Sequence, residues 1–542
     1  MPLVQFHRRD AEDAELTQRT CTHMAAAQTD AYDEVTYPNF AFPQTHPDRL
    51  ASLARLFGMT PAPVEGCRVL ELACGNGGNL IPMALGLPES KFVGVDRAQQ
   101  PIAKSKETIA ALGLDNIDLL QLDINDVDSQ LGQFDYIIAH GLYSWVPPEV
   151  RDRVLMICHS CLRPQGVAYI SYNTYPGCHL RKITRELMLF HTKDTNHPAE
   201  QVAQGRALIN WLAASQSATS AYQLFLNEVR NDINQKSEAA IYHDDLAGIN
   251  SPVYFHQFID HAARYALQFI SEAEYFDVQY SHFTPAVSEQ LTLLGEQDVL
   301  AKEQYLDFLE GRSFRQTLLC HSNIALQRNI PPERVRDFYF RAEVRPASDN
   351  PDIQSEAVEE FRGKKESAIA TSFPLGKAVL LCLGEQYPRS LTFDALLVEA
   401  SKRIALQVPD QESIVKLEEA LLRAHGAGLI EMHLHAPKFA LEPGEKPVAN
   451  PLARLQAQEG PIITTLLHNN VKLEDDLGRQ LLLLLDGSRD RSALLQELRS
   501  MVDSASEATP EMLTAREEFL RTFPNELEDK LRTLARLGLL LA

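Results

Sequence analysis

The stretch Arg68-Val-Leu-Glu71-Leu-Ala-Cys-Gly75-Asn-Gly77-Gly78-Asn79 decides how the rest of this chain reads. Val69, Leu70 and Leu72 form a short apolar run around Glu71, glycines interrupt it, and a new apolar pattern starts at Leu80. A buried strand, a tight turn and a helix start make the opening unit of a parallel α/β sheet. Glycine suits the turn because a Cβ would hold the backbone away from a ligand lying over it. The free N–H groups of the following helix favour an anionic group.

A dinucleotide fingerprint would need a third glycine where Leu80 stands. Glu71, inside the strand, is a poor neighbour for a pyrophosphate and a good one for the ammonium of an amino-acid moiety whose carboxylate faces the turn. S-adenosylmethionine carries both groups and no phosphate. A second strand, Lys91 to Val95, ends at Asp96, where a doubly wound domain places the carboxylate that accepts two ribose hydroxyls. A helix is expected from Pro101. Leu119 to Leu122 ends at Asp123, set to accept from an adenine amino group, and Phe134 to His140 and Gly166 to Tyr172 read as the fourth and fifth strands. Any one of these acids could be an ordinary strand-end residue; their succession at strand ends points to one site. The expected cofactor contacts are Glu71, Ala73, Cys74, Gly75, Asn76, Gly77, Asn79, Asp96, Arg97, Asp123, Ile124 and His140.

At 542 residues the chain has room for roughly three or four domains. Its 51 basic and 73 acidic residues leave a net charge of −22, which argues against broad nucleic-acid binding and favours a basic partner such as a lysine-rich protein segment. Eight scattered cysteines suggest a reducing compartment. With no charged-then-apolar leader and no apolar run of spanning length, the expected location is cytoplasmic, without membrane insertion.

Residues 1–28 are polar and weakly periodic, an expected loose helix. Tyr32 to Leu50 is rich in aromatics and prolines, so a continuous helix waits until Pro47, capped by Thr45 or His46. This segment either folds over the cofactor as a lid or packs the first helix onto the sheet; Tyr32, Tyr37 and His46 are second-rank cofactor candidates. Pro148 to Leu162 reads as a helix, with Cys158 and Cys161 as buried residues rather than zinc ligands, since no second thiol pair follows. From about residue 200 the spacing becomes helical, as in Phe255, Phe258, Ile259, Ala262, Ala266, Phe269 and Ile270 behind a Ser251 cap. His243, Asp244, His256, Asp260 and His261 lack convincing ligand spacing and read as a polar surface, so no metal is expected.

The final third holds a loose repeat. Leu375-Gly-Lys-Ala-Val-Leu-Leu-Cys-Leu383 matches Leu477-Gly-Arg-Gln-Leu-Leu-Leu-Leu-Leu485, and each copy continues into a short helix and an acidic helix ending in apolar-Gly-Leu. Three short helices closing on a strand suggest winged-helix-like units. Glu418, Glu419, Glu526, Glu528 and Asp529 give the wrong sign for phosphates, so these units are expected to meet protein and not nucleic acid. The expected divisions are 1–199 (the catalytic sheet with an N-terminal lid segment), 200–325 (all-helical), 326–445 and 446–542 (winged-helix-like).

The Glu71–Asn79 turn resembles the first motif of class I methyltransferases, E/D-x-G-x-G-x-G, with Ala73 in place of the first glycine. Further motifs join it: Tyr32-Asp-Glu-Val35, Gln44-Thr-His46-Pro47, His140-Gly-Leu-Tyr143-Ser-Trp145-Val-Pro147, His243-Asp-Asp-Leu246 and Arg312-Ser-Phe-Arg315. Over roughly residues 30–540 the chain resembles a bacterial group with a methyltransferase domain, a methyltransferase regulatory domain and a C-terminal winged-helix region. That group includes the rickettsial protein-lysine methyltransferases that modify outer-membrane proteins. The resemblance implies a doubly wound, Rossmann-like α/β sheet, S-adenosylmethionine as cofactor and a protein substrate with accessible lysines. Relatives tend to have Trp where Cys178 stands.

Methyl transfer from a sulfonium is an in-line displacement, so the protein mainly positions the acceptor. A lysine must arrive as a neutral amine against a free pKa of about 10.4, and an apolar aromatic channel lowers that value while holding the alkyl stem. Tyr143 and Trp145, with Tyr172 and Tyr175, are the expected walls. His140 is either a general base or a turn histidine bonded to backbone. No Asn/Asp-Pro-Pro-Tyr/Phe motif follows the fourth strand, which disfavours DNA bases and glutamine as acceptors. The expected function is methylation of protein lysines. The alternatives are a small-molecule (metabolite or quinone-like) methyltransferase and a cofactor-binding regulatory protein. The middle and C-terminal modules would recognise substrate or pair protomers into a homodimer.

Overall fold

The structure, a computed structural model, describes residues 35, 40–215, 220–364, 367–504 and 526–541. The expected helix within residues 1–28, Tyr32 and Tyr37 lie outside the described residues. Seven strands form the main sheet: β1 (Arg68–Leu72), β2 (Lys91–Asp96), β3 (Ile117–Gln121), β4 (Phe134–Ala139), β5 (Leu162–Asn173), β6 (Leu267–Glu272) and β7 (Phe314–His321). Their order is 3-2-1-4-5-7-6; β1 to β5 are parallel and β7 lies antiparallel between β5 and β6. Strand order reverses between β1 and β4, so the crevice in which such sheets hold ligands opens at their carboxyl ends.

All six residues of β4 are buried, as in a strand covered on both faces. Helices on the sheet include α1 (Pro47–Leu56), α2 (Leu80–Gly86), α3 (Gln99–Leu112) and α4 (Pro148–Cys161). Pro47 opens α1 and His46, not Thr45, caps it, its Nδ1 accepting from Asp48 N at 3.2 Å. Cys158 and Cys161 are buried on α4. The doubly wound sheet is the one the strand-end acids implied.

The middle region is mainly helical, but it is not all-helical: β6 and β7 come from it and complete the sheet. Its helix α5 (Phe255–Arg264) is capped by Tyr254 rather than Ser251 and ends before Ala266, which takes a φ of 52°. Phe269 and Ile270 continue the helical stripe in sequence yet lie on β6, where pairing with β7 outweighs local spacing. Fully buried Arg315 of β7 meets Glu272 of β6 and Glu303 and Asp307 of the helix Val299–Glu310. His256 and Asp260 are exposed, as a polar surface requires. His243 is not: it is buried, its Nε2 2.7 Å from the Val35 carbonyl. His261 bridges Tyr143 and Asp152, tying the middle region to the sheet.

Two C-terminal units follow. In the first, β8 (Tyr339–Arg341) is the central strand between β12 (Leu391–Thr392) and β13 (Glu431–His433), with helices Pro374–Gln386, Phe393–Arg403 and Gln411–Gly426. In the second, Val448 and Ala449 bridge to Asp486 and Leu540, with helices Asp476–Leu484, Arg491–Ser504 and 526–536. The segments matched in sequence, 375–383 and 477–485, fall on the same helix of each unit. Between central strand and that helix, the first unit inserts a meander of β9 (Arg345–Pro346), β10 (Glu359–Arg362) and β11 (Ala368–Thr371), and the second a helix, Pro451–Glu459, and a hairpin, β14 (Ile462–Thr464) and β15 (Asn470–Lys472). No helix among the described residues is long and apolar enough to cross a membrane.

Candidate functional site

Glu71, the fourth residue of β1, is 4% exposed. Its Oε1 accepts from Asn79 Nδ2 at 2.8 Å, while Oε2 is buried without a hydrogen-bond partner among the described residues. Burial, opposed by the Asn79 bond and reinforced by nearby Asp96, pushes this carboxyl up to about 8. A carboxyl raised in this way keeps its proton until a cation comes to rest against the half-satisfied Oε2, where the added positive charge favours the ionised form.

After β1 the backbone takes left-handed φ at Ala73 (60°), Gly75 (55°) and Gly77 (74°). A Cβ on Gly77 would lie 2.6 Å from Leu119 Cδ1, so the turn is clamped against β3. Ala73 adopts the conformation that the expected first glycine would take without steric cost. Asp96 accepts the Gly75 N–H on Oδ2 and the Ala98 N–H on Oδ1, both at 2.8 Å, which ties the turn to the end of β2. Each of its oxygens keeps a second lone pair. Asp123 accepts from Asn125 N at 2.9 Å, with Ile124 half-buried beside it. Asn76 accepts from Gly78 N at 3.2 Å, Cys74 is buried and Arg97 is exposed.

Asn79 holds the back of the turn. Besides Glu71, its Nδ2 reaches Thr45 Oγ1 at 2.9 Å; its Oδ1 accepts from Phe42 N at 2.9 Å and lies 3.0 Å from His468 Nε2. His468 sits in the tip of the β14–β15 hairpin of the second C-terminal unit. Sequence reasoning missed Phe42, Thr45 and His468, and nothing local in the sequence marks the last of these.

His140 follows β4. Tyr169 Oη donates to Gln316 Oε1 at 3.0 Å, so it accepts from His140 Nδ1 at 2.9 Å, and the proton-free nitrogen is Nε2. Its partner is thus a phenol and not backbone. Enclosure pulls the imidazole down to about 4, which keeps it neutral. The rings of Phe42 and Phe314 lie 4.0 and 6.3 Å from it.

Two of the expected acceptor walls are elsewhere. Tyr143 packs edge-on against Phe258 at 5.1 Å with Oη 2.8 Å from His261 Nδ1. Tyr172 stacks on Phe258 at 4.1 Å with Oη 3.1 Å from Thr317 Oγ1. Both are core residues, because α5 covers this face of the sheet and buries their rings. Trp145 and Tyr175 are half-buried at the ends of β4 and β5. His46 lies at the junction with the C-terminal units, 5.1 Å from the His468 ring, and borders a cavity of about 80 Å³ together with Pro82, Leu87, His433 and His468.

Three family models match the chain: "Methyltransferase domain" over residues 70–168, "Predicted methyltransferase regulatory domain" over 237–321 and "PKMT, C-terminal winged helix domain" over 445–539. The chain is 32% identical over 486 residues to the uncharacterized protein RP789 of Rickettsia prowazekii (strain Madrid E), spanning 88% of this chain and 87% of that one. This chain belongs to that family of class I methyltransferases. Among solved structures, PKMT2 from Rickettsia typhi matches the methyltransferase with a TM-score of 0.82 and 29% identity, over 93% of this chain and 100% of that one. The PKMT2 structure in complex with AdoHcy gives a TM-score of 0.81 at 28% identity. The methyltransferase uses S-adenosylmethionine, and the half-satisfied Glu71 fits the ammonium which that cofactor carries.

Proposed function

We propose that this methyltransferase methylates lysine side chains of a protein substrate. The observation that carries the proposal is the likeness to PKMT2, a name we read as protein-lysine methyltransferase, along nearly the whole of both chains. Glu71 receives the ammonium of the cofactor, the glycine turn after β1 lies against its amino-acid end, Asp96 takes the ribose hydroxyls and Asp123 the adenine amino group. The cofactor supplies an electrophilic methyl on a sulfonium. Phe42, His140 and Phe314, with Trp145 and Tyr175, strip water from the incoming amine, hold its stem and favour its neutral form. At about 4, His140 is too weak a base to keep a lysine proton, so it orients the amine through the Nε2 lone pair, and the proton leaves to water before the amine is enclosed. The net charge of −22 favours lysine-rich segments as substrates.

The test incubates the enzyme with labelled S-adenosylmethionine and cell extract, followed by peptide mass spectrometry. Methylated lysine peptides are expected with the wild type and absent with Glu71→Gln. Label confined to small molecules would replace the proposal with a metabolite or quinone-like acceptor. Tight cofactor binding without transfer would indicate a regulatory protein.

A further inference from the structure

We infer that His468 is a positioning residue for the cofactor: through Asn79 it fixes the carboxyl of Glu71, so the second C-terminal unit contributes to cofactor binding in the catalytic half. The inference rests on the proposed role of Glu71 as acceptor of the cofactor's ammonium.

The chain of hydrogen bonds has a defined direction. The Phe42 N–H can only donate, so the Asn79 atom 2.9 Å from it is Oδ1, and Nδ2 faces Glu71 Oε1 at 2.8 Å. An amide oxygen can only accept, so His468 donates to it from Nε2 at 3.0 Å and leaves Nδ1 proton-free. Nδ1 is buried without a hydrogen-bond partner among the described residues. His468 is 6% exposed and holds a φ of 56°, a left-handed conformation that non-glycine residues adopt at a cost. The hairpin tip that enforces it is built from its own backbone: Thr465 N donates to Asn469 O, and His468 N to Thr465 O. Next to it, Asn470 exchanges two hydrogen bonds with the Ala41 backbone, so the same hairpin also holds the segment that presents Phe42 and Thr45 to Asn79. Without the His468 donor, Asn79 loses one of the groups that turn its NH₂ toward Glu71. Phe42 and Thr45 still hold the amide, but the carboxyl is fixed less firmly toward the ammonium.

The experiment measures binding of AdoHcy and of 5′-methylthioadenosine, which lacks the amino-acid moiety, to the full-length protein by titration calorimetry. Variants are His468→Ala, His468→Gln (a side-chain amide that still donates) and Glu71→Gln. His468→Ala is expected to weaken AdoHcy about tenfold, one hydrogen bond's worth, and leave methylthioadenosine within about twofold. His468→Gln is expected to restore AdoHcy affinity to within about threefold of wild type. Equal losses for both ligands in His468→Ala, or no loss for either, overturns the inference, as does failure of Gln to rescue. If Glu71→Gln leaves the ratio of the two affinities unchanged, the reading of Glu71 itself falls. If Glu71→Gln lowers that ratio and His468→Ala does not, only the role of His468 falls.

Discussion

The two C-terminal units share a topology and attach to the catalytic half in opposite ways. Phe338, Phe340, Leu375, Leu383 and Met432 of the first belong to the same continuous apolar core as β4 and β5. The second keeps a core largely its own, with Leu481, Leu482, Leu494, Leu498, Leu531 and Leu539. Leu452 of the second unit joins the shared core, and polar contacts with the catalytic half pair Asn470 with Ala41, His468 with Asn79 and Lys104 with Glu459. Apolar continuity makes the first unit fold with the sheet. Polar contacts, each worth about 1 kcal/mol net, allow the second to separate without unfolding its neighbour. One unit is thus fused into the sheet's core, while the other touches the glycine turn after β1 through His468 and Asn79.

The sharpest way to break this comparison is Phe340→Ala, which opens a cavity in the shared core and is expected to cost about 3–5 kcal/mol. Calorimetry should show the sheet and the first unit melting together and cofactor binding lost with them; a separate early transition that spares cofactor binding would contradict it. Leu482→Ala, in the second unit's core, is expected to cost about 2–5 kcal/mol there. It should produce an early transition while the main one stays in place, and a uniform shift of a single transition would show that the two cores are one.

A smaller effect comes from the junction of α1 with the first unit. Asp48 accepts the Leu434 and His435 N–H groups at 2.7 and 2.9 Å and faces His433 Nδ1 at 2.6 Å. Burial alone would raise its carboxyl; His433 and the Leu434 bond outweigh that and hold it at about 2. Its folded pKa lies below the unfolded value of about 3.9, so its stabilisation is present above about pH 4 and is lost as pH falls toward 2. Asp48→Asn should therefore remove about 2 kcal/mol near neutrality and flatten the acid limb of the stability profile, leaving the second unit's transition unmoved. The smallest change is Ala73→Gly: relief of a left-handed alanine and the added freedom of the unfolded chain nearly cancel, so the melting curve should move by less than about 1 kcal/mol.

Much of the catalytic sheet was legible because its signals are local. Short apolar runs that end in Glu71, Asp96 and Asp123, with glycines after the first, survive any tertiary context. The strands β6 and β7 were not legible: Phe269 and Ile270 fit a helical stripe as well as a strand, and only Ala266 at positive φ marks the break. A ring at or just past a strand end, as at Tyr143 and Tyr172, has two faces available, and sequence does not reveal that α5 closes one of them. His468 was out of reach for a simpler reason. Its partner Asn79 is 389 positions away, and a lone histidine in a hairpin carries no pattern.

That β6 and β7 belong to the main sheet has a practical corollary for anyone shortening the gene. A fragment ending near residue 199 would keep the glycine turn and strip the neighbour from Ala168 to Asn173 on β5, leaving bare a row of amides that β7 normally satisfies. Such an open flank recruits strands from other molecules, so the expected product is insoluble aggregate and not a minimal enzyme. The regulatory module, in this protein, is the hem that keeps the catalytic fabric from fraying.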